Sequence, residues 1–324
     1  MTVFIDRIIP QIGLDLLEEA GIPYEQHTAN NELSKAALIE KCQAHDALLT
    51  AGWGPLDQEF LQACKHLKVI ALHSVGYDRI DIQEATRLKI PVGNTPDVLS
   101  EATADTAFLL MLAVSRKALF LHKKIIEGKW GFSQPTDDLG FSLTGKTLGI
   151  FGLGNIGYEL ARKAKVAFNM PIIYHNRSSN QKAEQELGAK RVSFEELVSQ
   201  SDVLAAFSTL TAETRHKFNA SVFAKMKPSA IFINASRGSV HHEPDLIHAI
   251  QTGQIWGAGL DVTDPEPMDK DNPLLAMPTV AVFPHIGSAT REARDGMATI
   301  AAKNIIAASK GERLPYLVNP EAYH

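Results

Sequence analysis

Short apolar runs of strand length recur along the chain, each separated from the next by a stretch with helical spacing of apolar positions. In the first hundred residues Val3–Ile5, Ala47–Thr50 and Val69–Leu72 are strand-like, and 13–20, 32–42, 55–64 and 80–89 are helix-like. That alternation predicts a parallel sheet with crossover helices. Residues 100–127 then read as one long helix, with Ser100 as its N-cap and Gly128 as its stop. Nearly thirty residues at a rise of 1.5 Å would reach about 40 Å, enough to cross between two domains. Strand-like runs resume at 147–151, 170–174, 202–206, 230–234, 257–262 and 279–283, and a second long helix covers 291–310. The pattern predicts an α/β protein with two parallel-sheet domains. The second, residues 100–289, is inserted into the first, residues 1–99 and 290–324. No internal repeat or low-complexity segment interrupts it.

Composition narrows the class. A length of 324 residues suits about two domains. Apolar content of 45% and charged content of 21% are ordinary for a globular protein. A net charge of −5 without a long basic run argues against nucleic acid or an anionic membrane as partner. The longest apolar candidate, 106–114, is too short to span a bilayer, and the N-terminus lacks the marks of a signal peptide. Cys42 and Cys64 fit neither a metal-ligand spacing nor a disulfide framework, so reduced thiols in a cytoplasmic protein are expected. His241, His242 and Glu243 are adjacent, so their side chains point apart, and no metal is expected there.

The candidate chemistry starts at Gly152-Leu153-Gly154-Asn155-Ile156-Gly157, between an apolar strand and a helical pattern. In such a strand–turn–helix unit the first glycine permits the turn, the second admits a pyrophosphate and the third packs helix on strand. The phosphate is met by amide N–H groups and the positive end of the helix dipole. About 20 residues beyond such a fingerprint, NAD-selective domains carry an acid for the ribose 2′-hydroxyl. Here Asn176 stands at that place and Arg177 and Ser178 follow. A carboxylate would repel a 2′-phosphate and a guanidinium would bind one, so NADP(H) is the expected cofactor, with NAD(H) possible.

Three later strands each lead into an unusual residue: Arg237, Glu266 and His285. Ligands of parallel sheets bind outside the carboxyl ends of the strands, so these residues would share the nucleotide's rim. Together they suit reduction of a 2-keto acid. A fixed cation holds the substrate carboxylate and polarises its carbonyl, and an imidazolium paired with a carboxylate protonates the developing alkoxide.

The chain resembles the D-isomer-specific 2-hydroxyacid dehydrogenases over nearly its full length. The resemblance is carried by Ser74-Val75-Gly76-Tyr77-Asp78-Arg79-Ile80-Asp81, the glycine fingerprint, Asn234-Ala235-Ser236-Arg237-Gly238, residues 257–262 with Glu266-Pro267, Pro284-His285-Ile286-Gly287-Ser288-Ala289-Thr290, and Val318-Asn319-Pro320-Glu321. It implies a Rossmann NAD(P) domain inserted into a flavodoxin-like substrate domain, both doubly wound, and a homodimer built through the nucleotide domains. Arg237, Glu266 and His285 take the catalytic positions, and the backbone around Val75 and Gly76 would bind the substrate carboxylate. Asp261 would contact the nicotinamide amide. Thr103, Ser208, Ala235 and Gly287 are further expected cofactor contacts. Trp53, between two glycines, is a candidate wall of the substrate pocket, and Trp130 is assigned to dimer or domain packing. The basic turn resembles that of the glyoxylate/hydroxypyruvate and 2-ketogluconate reductase branch. Phe207 and Thr209 depart from the family's usual His and Pro. The expected activity is NADPH-dependent reduction of glyoxylate, hydroxypyruvate or 2-ketogluconate. The alternatives are an NAD-dependent D-lactate- or phosphoglycerate-type dehydrogenase and, from another class, a nucleotide-sensing corepressor.

Overall fold

The computed structural model describes every residue except Trp53. The chain divides into two compact units, one made of Met1–Leu99 with Ser288–His324 and one of Ser100–Gly287.

The first unit is a five-stranded parallel sheet of β1 (Val3–Ile5), β2 (Tyr24–Gln26), β3 (Ala47–Thr50), β4 (Val69–Leu72) and β5 (Val92–Gly93), in the order β2-β1-β3-β4-β5. That is the flavodoxin-like order. The second unit is a seven-stranded parallel sheet of β6 (Leu148–Phe151), β7 (Ile172–His175), β8 (Lys190–Arg191), β9 (Val203–Ala206), β10 (Ile231–Asn234), β11 (Gly257–Leu260) and β12 (Val280–Val282). Its order, β12-β11-β10-β9-β6-β7-β8, reverses direction between β6 and β9. That is the doubly wound dinucleotide topology, with its crevice at the reversal.

The strand runs are unbroken because both faces of each sheet are covered. Val3 and Ile5 enter one core while Phe4 enters the other. Ile231 and Ile233 likewise oppose Phe232. Full burial of side chains of this size contributes about 1.5–3 kcal/mol each. Three strands carry no such signal. β2 and β8 are polar edge strands, and β5 has two residues. The β5 edge is covered by the C-terminal tail: Asn319 Oδ1 accepts from Val92 N at 2.8 Å and its Nδ2 donates to Ile90 O at 3.0 Å. This closes an otherwise open sheet edge and gives the Val318-Asn319-Pro320-Glu321 stretch a structural task.

One expectation is corrected. The helix over 100–127 is broken into Ser100–Ser115 and Ala118–Ile126, with Lys117 in the left-handed region at φ 54°. The carbonyls at the break have partners outside the helix. Ser115 O accepts from Phe141 N at 3.1 Å and Val114 O from Trp256 Nε1 at 3.5 Å. The approach requires Gly140, where a Cβ would lie 2.1 Å from Ser115 O. No helix among the described residues is long and apolar enough to cross a membrane.

Candidate active site

β6 ends at Phe151 and the chain turns at once. Gly152 takes φ +92°, and a Cβ there would lie 2.8 Å from Ser208 N and 2.9 Å from the Phe207 carbonyl carbon, just past β9. Conformation and space both exclude a side chain. Gly157 brings helix Asn155–Phe168 onto β6, where a Cβ would stand 3.1 Å from Ile150 Cγ2. Gly154 caps that helix, and a Cβ on it would meet nothing within 4 Å. The helix start, with exposed Asn155 and half-buried Ile156, therefore opens outward. Across the reversal, the Ser208 hydroxyl is buried without a hydrogen-bond partner among the described residues. An open, amide-rich helix start facing an orphaned hydroxyl fits the phosphates of a dinucleotide. Phe207, at the departing position, packs against the core.

At the ribose corner, Arg177 and Ser178 are exposed after β7. Asn176 does not extend with them. Its Oδ1 accepts from Leu153 N at 2.7 Å and its Nδ2 donates to Leu153 O at 3.0 Å, which locks it onto the glycine turn.

β10, β11 and β12 are neighbours and parallel, so the loops after Asn234, Leu260 and Val282 leave the same edge. Fully buried Asn234 organises the first loop. Its Oδ1 accepts from Ser236 N at 3.0 Å and Ser236 Oγ at 2.8 Å, and its Nδ2 contacts Arg237 O at 2.9 Å and His241 Nδ1 at 3.0 Å. Arg237 is half-buried, with Nη1 donating to Ser236 O at 2.8 Å. His241 is fully buried, and burial lowers its pKa to about 4, so it is neutral and can accept from Asn234. Gly238 sets the first loop against the second, since a Cβ there would lie 1.9 Å from Thr263 O.

The second loop carries Glu266, whose Oε1 lies 2.6 Å from His285 Nδ1 on the third. His285 holds φ +54°, a costly conformation kept by Asp261. The peptide N–H of His285 donates to Asp261 O at 2.9 Å, and the carboxylate receives Ile286 N and Gly287 N at 2.8 Å each. Burial raises the pKa of Asp261, against the opposing pull of those N–H groups and of His285. Asp261, which the resemblance assigns to the nicotinamide amide, clasps the turn that presents His285. Gly287 packs between this carboxylate and Thr103, with a Cβ 2.9 Å from Asp261 Oδ2 and 3.1 Å from Thr103 Cγ2. Ala235 is buried just past β10.

Val75 and Gly76 belong to the first unit, in the loop after β4. Asn94 Nδ2 donates to Val75 O at 2.9 Å and Ser74 Oγ to Gly76 O at 2.7 Å, which shapes that loop. Trp53 lies outside the described residues. Trp130 is 78% exposed and stands beside Leu121 and Ile125 of the preceding helix. Among the described residues no group of three or more His, Cys, Asp or Glu is poised to hold a metal. Asn234 and His241 were not singled out as functional from the sequence. Their only signal was a buried strand ending in an amide, followed by a histidine on a polar-looking segment.

Residues 108–287 match the model of "D-isomer specific 2-hydroxyacid dehydrogenase, NAD binding domain". A glyoxylate reductase from Thermococcus litoralis is 45% identical over 98% of this chain and 97% of its own. The crystal structure of a glyoxylate reductase from Paecilomyes thermophila superposes with a TM-score of 0.87 at 34% identity, covering 99% of this chain and 98% of that one. An NADPH-dependent glyoxylate/hydroxypyruvate reductase from Sinorhizobium meliloti, solved with NADP and malonate, gives a TM-score of 0.83 at 30% identity over 99% and 97%.

Proposed function

The chain belongs to the D-isomer specific 2-hydroxyacid dehydrogenase family, and from that membership we propose that it reduces small 2-keto acids, glyoxylate or hydroxypyruvate foremost, with NADPH as donor. The observation that carries this reading is the 2.6 Å contact between His285 Nδ1 and Glu266 Oε1, on the carboxyl edge of a sheet with the glycine turn at its reversal. When bound, the nicotinamide supplies hydride to the substrate's carbonyl carbon. Arg237 binds the carboxylate and draws charge toward the carbonyl oxygen. His285 gives its proton to the alkoxide that forms there. Glu266 orients the imidazole and pairs with the charge it carries when protonated. The turn N–H groups and Ser208 hold the pyrophosphate, and exposed Arg177 and Ser178 take the ribose 2′-phosphate.

A homodimer through the second unit is part of the same reading. Ile126, Trp130 and Phe132 are 73%, 78% and 91% exposed on and just beyond one helix, an apolar surface that a second copy would cover. The unpaired buried thiols Cys42 and Cys64 suit a reducing compartment such as the cytoplasm.

The test is a panel of glyoxylate, hydroxypyruvate, 2-ketogluconate and pyruvate, each assayed with NADPH and with NADH. The expected result is the highest kcat/KM for glyoxylate or hydroxypyruvate with NADPH. No turnover of any 2-keto acid would overturn the activity, and equal use of NADH would overturn the cofactor preference.

A further inference from the structure

The turn after β7 is held from two sides, and only one of them is the glycine loop. On that side Asn176 pairs with Leu153 as one peptide group pairs with another, and Asn180 Nδ2 donates to the same Leu153 carbonyl at 3.0 Å. On the other side stands Arg191, on edge strand β8 opposite Tyr174. Its Nε and Nη2 donate to Asn176 O at 3.2 and 3.0 Å, and Nη2 also donates to Arg177 O at 2.6 Å. One planar cation thus gathers two successive carbonyls, which the single point charge of a lysine cannot copy.

The consequence follows from peptide geometry. In a trans peptide the N–H points opposite to the C=O, and the chain's cis bonds lie elsewhere, before Pro265 and Pro267. With carbonyls 176 and 177 drawn toward Arg191, the N–H groups of Arg177 and Ser178 face the opposite way. Neither N–H has a hydrogen-bond partner among the described residues, and the Arg177 side chain is exposed. Successive N–H groups turned to one side form an anion-binding concavity. The positive charge of Arg191 lies directly behind it.

We infer that Arg191 is a specificity-determining positioning residue: it sets the 176–178 turn so that its N–H groups and Arg177 meet the phosphomonoester on the ribose 2′-oxygen. Asn176 ties that turn to the pyrophosphate cradle. The inference rests on the NADPH preference proposed above.

Binding rather than turnover tests it. The full-length protein is titrated calorimetrically with NADPH, NADH, adenosine 2′,5′-bisphosphate and 5′-AMP, alongside R191M, R191K and R177A. Loss of one charge-supported contact corresponds to about tenfold, so R191M should weaken NADPH and the bisphosphate by about that factor. NADH and 5′-AMP should move by less than about twofold, because they carry nothing for the turn to bind. R191K should resemble R191M, since it keeps the charge but not the fork. An unchanged NADPH-to-NADH ratio in R191M, with R177A abolishing the preference, overturns the inference alone. Parallel loss of NADH affinity would mean a merely structural role, and full recovery in R191K would remove the fork; either overturns it. A wild-type protein that binds both cofactors equally overturns this inference and the cofactor reading together.

Discussion

Replacing Asn234 by Asp exchanges one heavy atom and tests whether the catalytic edge is built from beneath. The variant keeps the oxygen that accepts from Ser236 N and Ser236 Oγ. Its second oxygen stands where an N–H group met Arg237 O at 2.9 Å and His241 Nδ1 at 3.0 Å. Two bonds of about 1 kcal/mol each are lost; Arg237 O keeps Val240 N at 3.1 Å, but buried His241 Nδ1 is left without a donor, which costs about 1–3 kcal/mol. His241 can recover part of this by taking a proton on Nδ1, which its burial opposes. The expected destabilisation is about 3–5 kcal/mol, near the upper end for a single substitution. Arg237 loses one of the two donors on its carbonyl, and a displacement of about 1 Å in a group that holds substrate costs about a hundredfold in rate. Denaturant unfolding would read the first effect and kcat/KM for glyoxylate the second. NADPH affinity, titrated separately, should stay within about twofold, because the glycine turn follows a different strand. A variant of wild-type stability whose kcat/KM lies within about threefold of wild type would refute the idea that Asn234 positions Arg237.

Three further outcomes are expected. His285→Ala should lower kcat by about 10²–10⁴ while NADPH binding persists, and lost binding with chemistry spared would defeat the proton-donor role. Gly152→Ala should weaken NADPH and NADH alike by more than about tenfold, because its Cβ meets backbone at 2.8–2.9 Å in a conformation unfavourable to Ala; unchanged affinities in a titration would mean that this turn is not the pyrophosphate cradle. Acid should destabilise the fold through His73 and His241, whose pKa values burial lowers from 6.5 to about 4, with the charge of Arg294 adding to the effect at His73. Both folded-state values lie below the unfolded one, so the unfolded chain binds protons first. The stability is intact above pH 6.5 and is lost toward pH 4, by about 3 kcal/mol per histidine. Asp6 and Asp261, whose pKa values burial raises, act in the opposite sense, so the cleaner measurement is His241→Gln against wild type in unfolding titrations from pH 7 to 4.5. Parallel pH profiles for the two proteins would refute the assignment.

The sequence by itself determined the elements and the chemistry that depend on local order. Fully apolar runs such as 230–233 mark strands covered on both faces, whatever encloses them. The glycines at 152, 154 and 157 announce a phosphate turn because the need for a missing side chain is written into the chain itself. Arg237, Glu266 and His285 were legible because each lies in the loop that leaves a strand, and strand ends gather wherever the sheet is parallel. The tertiary structure decided whatever depends on partners distant in sequence. Nothing within residues 100–127 signals a break, since it is Phe141 and Trp256 that take the carbonyls at its middle. The polar pair Lys190–Arg191 becomes a strand only by adding to β7. Type and spacing place Asp261 and Asn176 at the cofactor but do not reveal their backbone partners, the His285 turn for one and the glycine turn for the other. A hydrogen bond is satisfied by geometry, not by spacing. Asparagine, aspartate and arginine have several possible partners each, and only the packed chain selects among them.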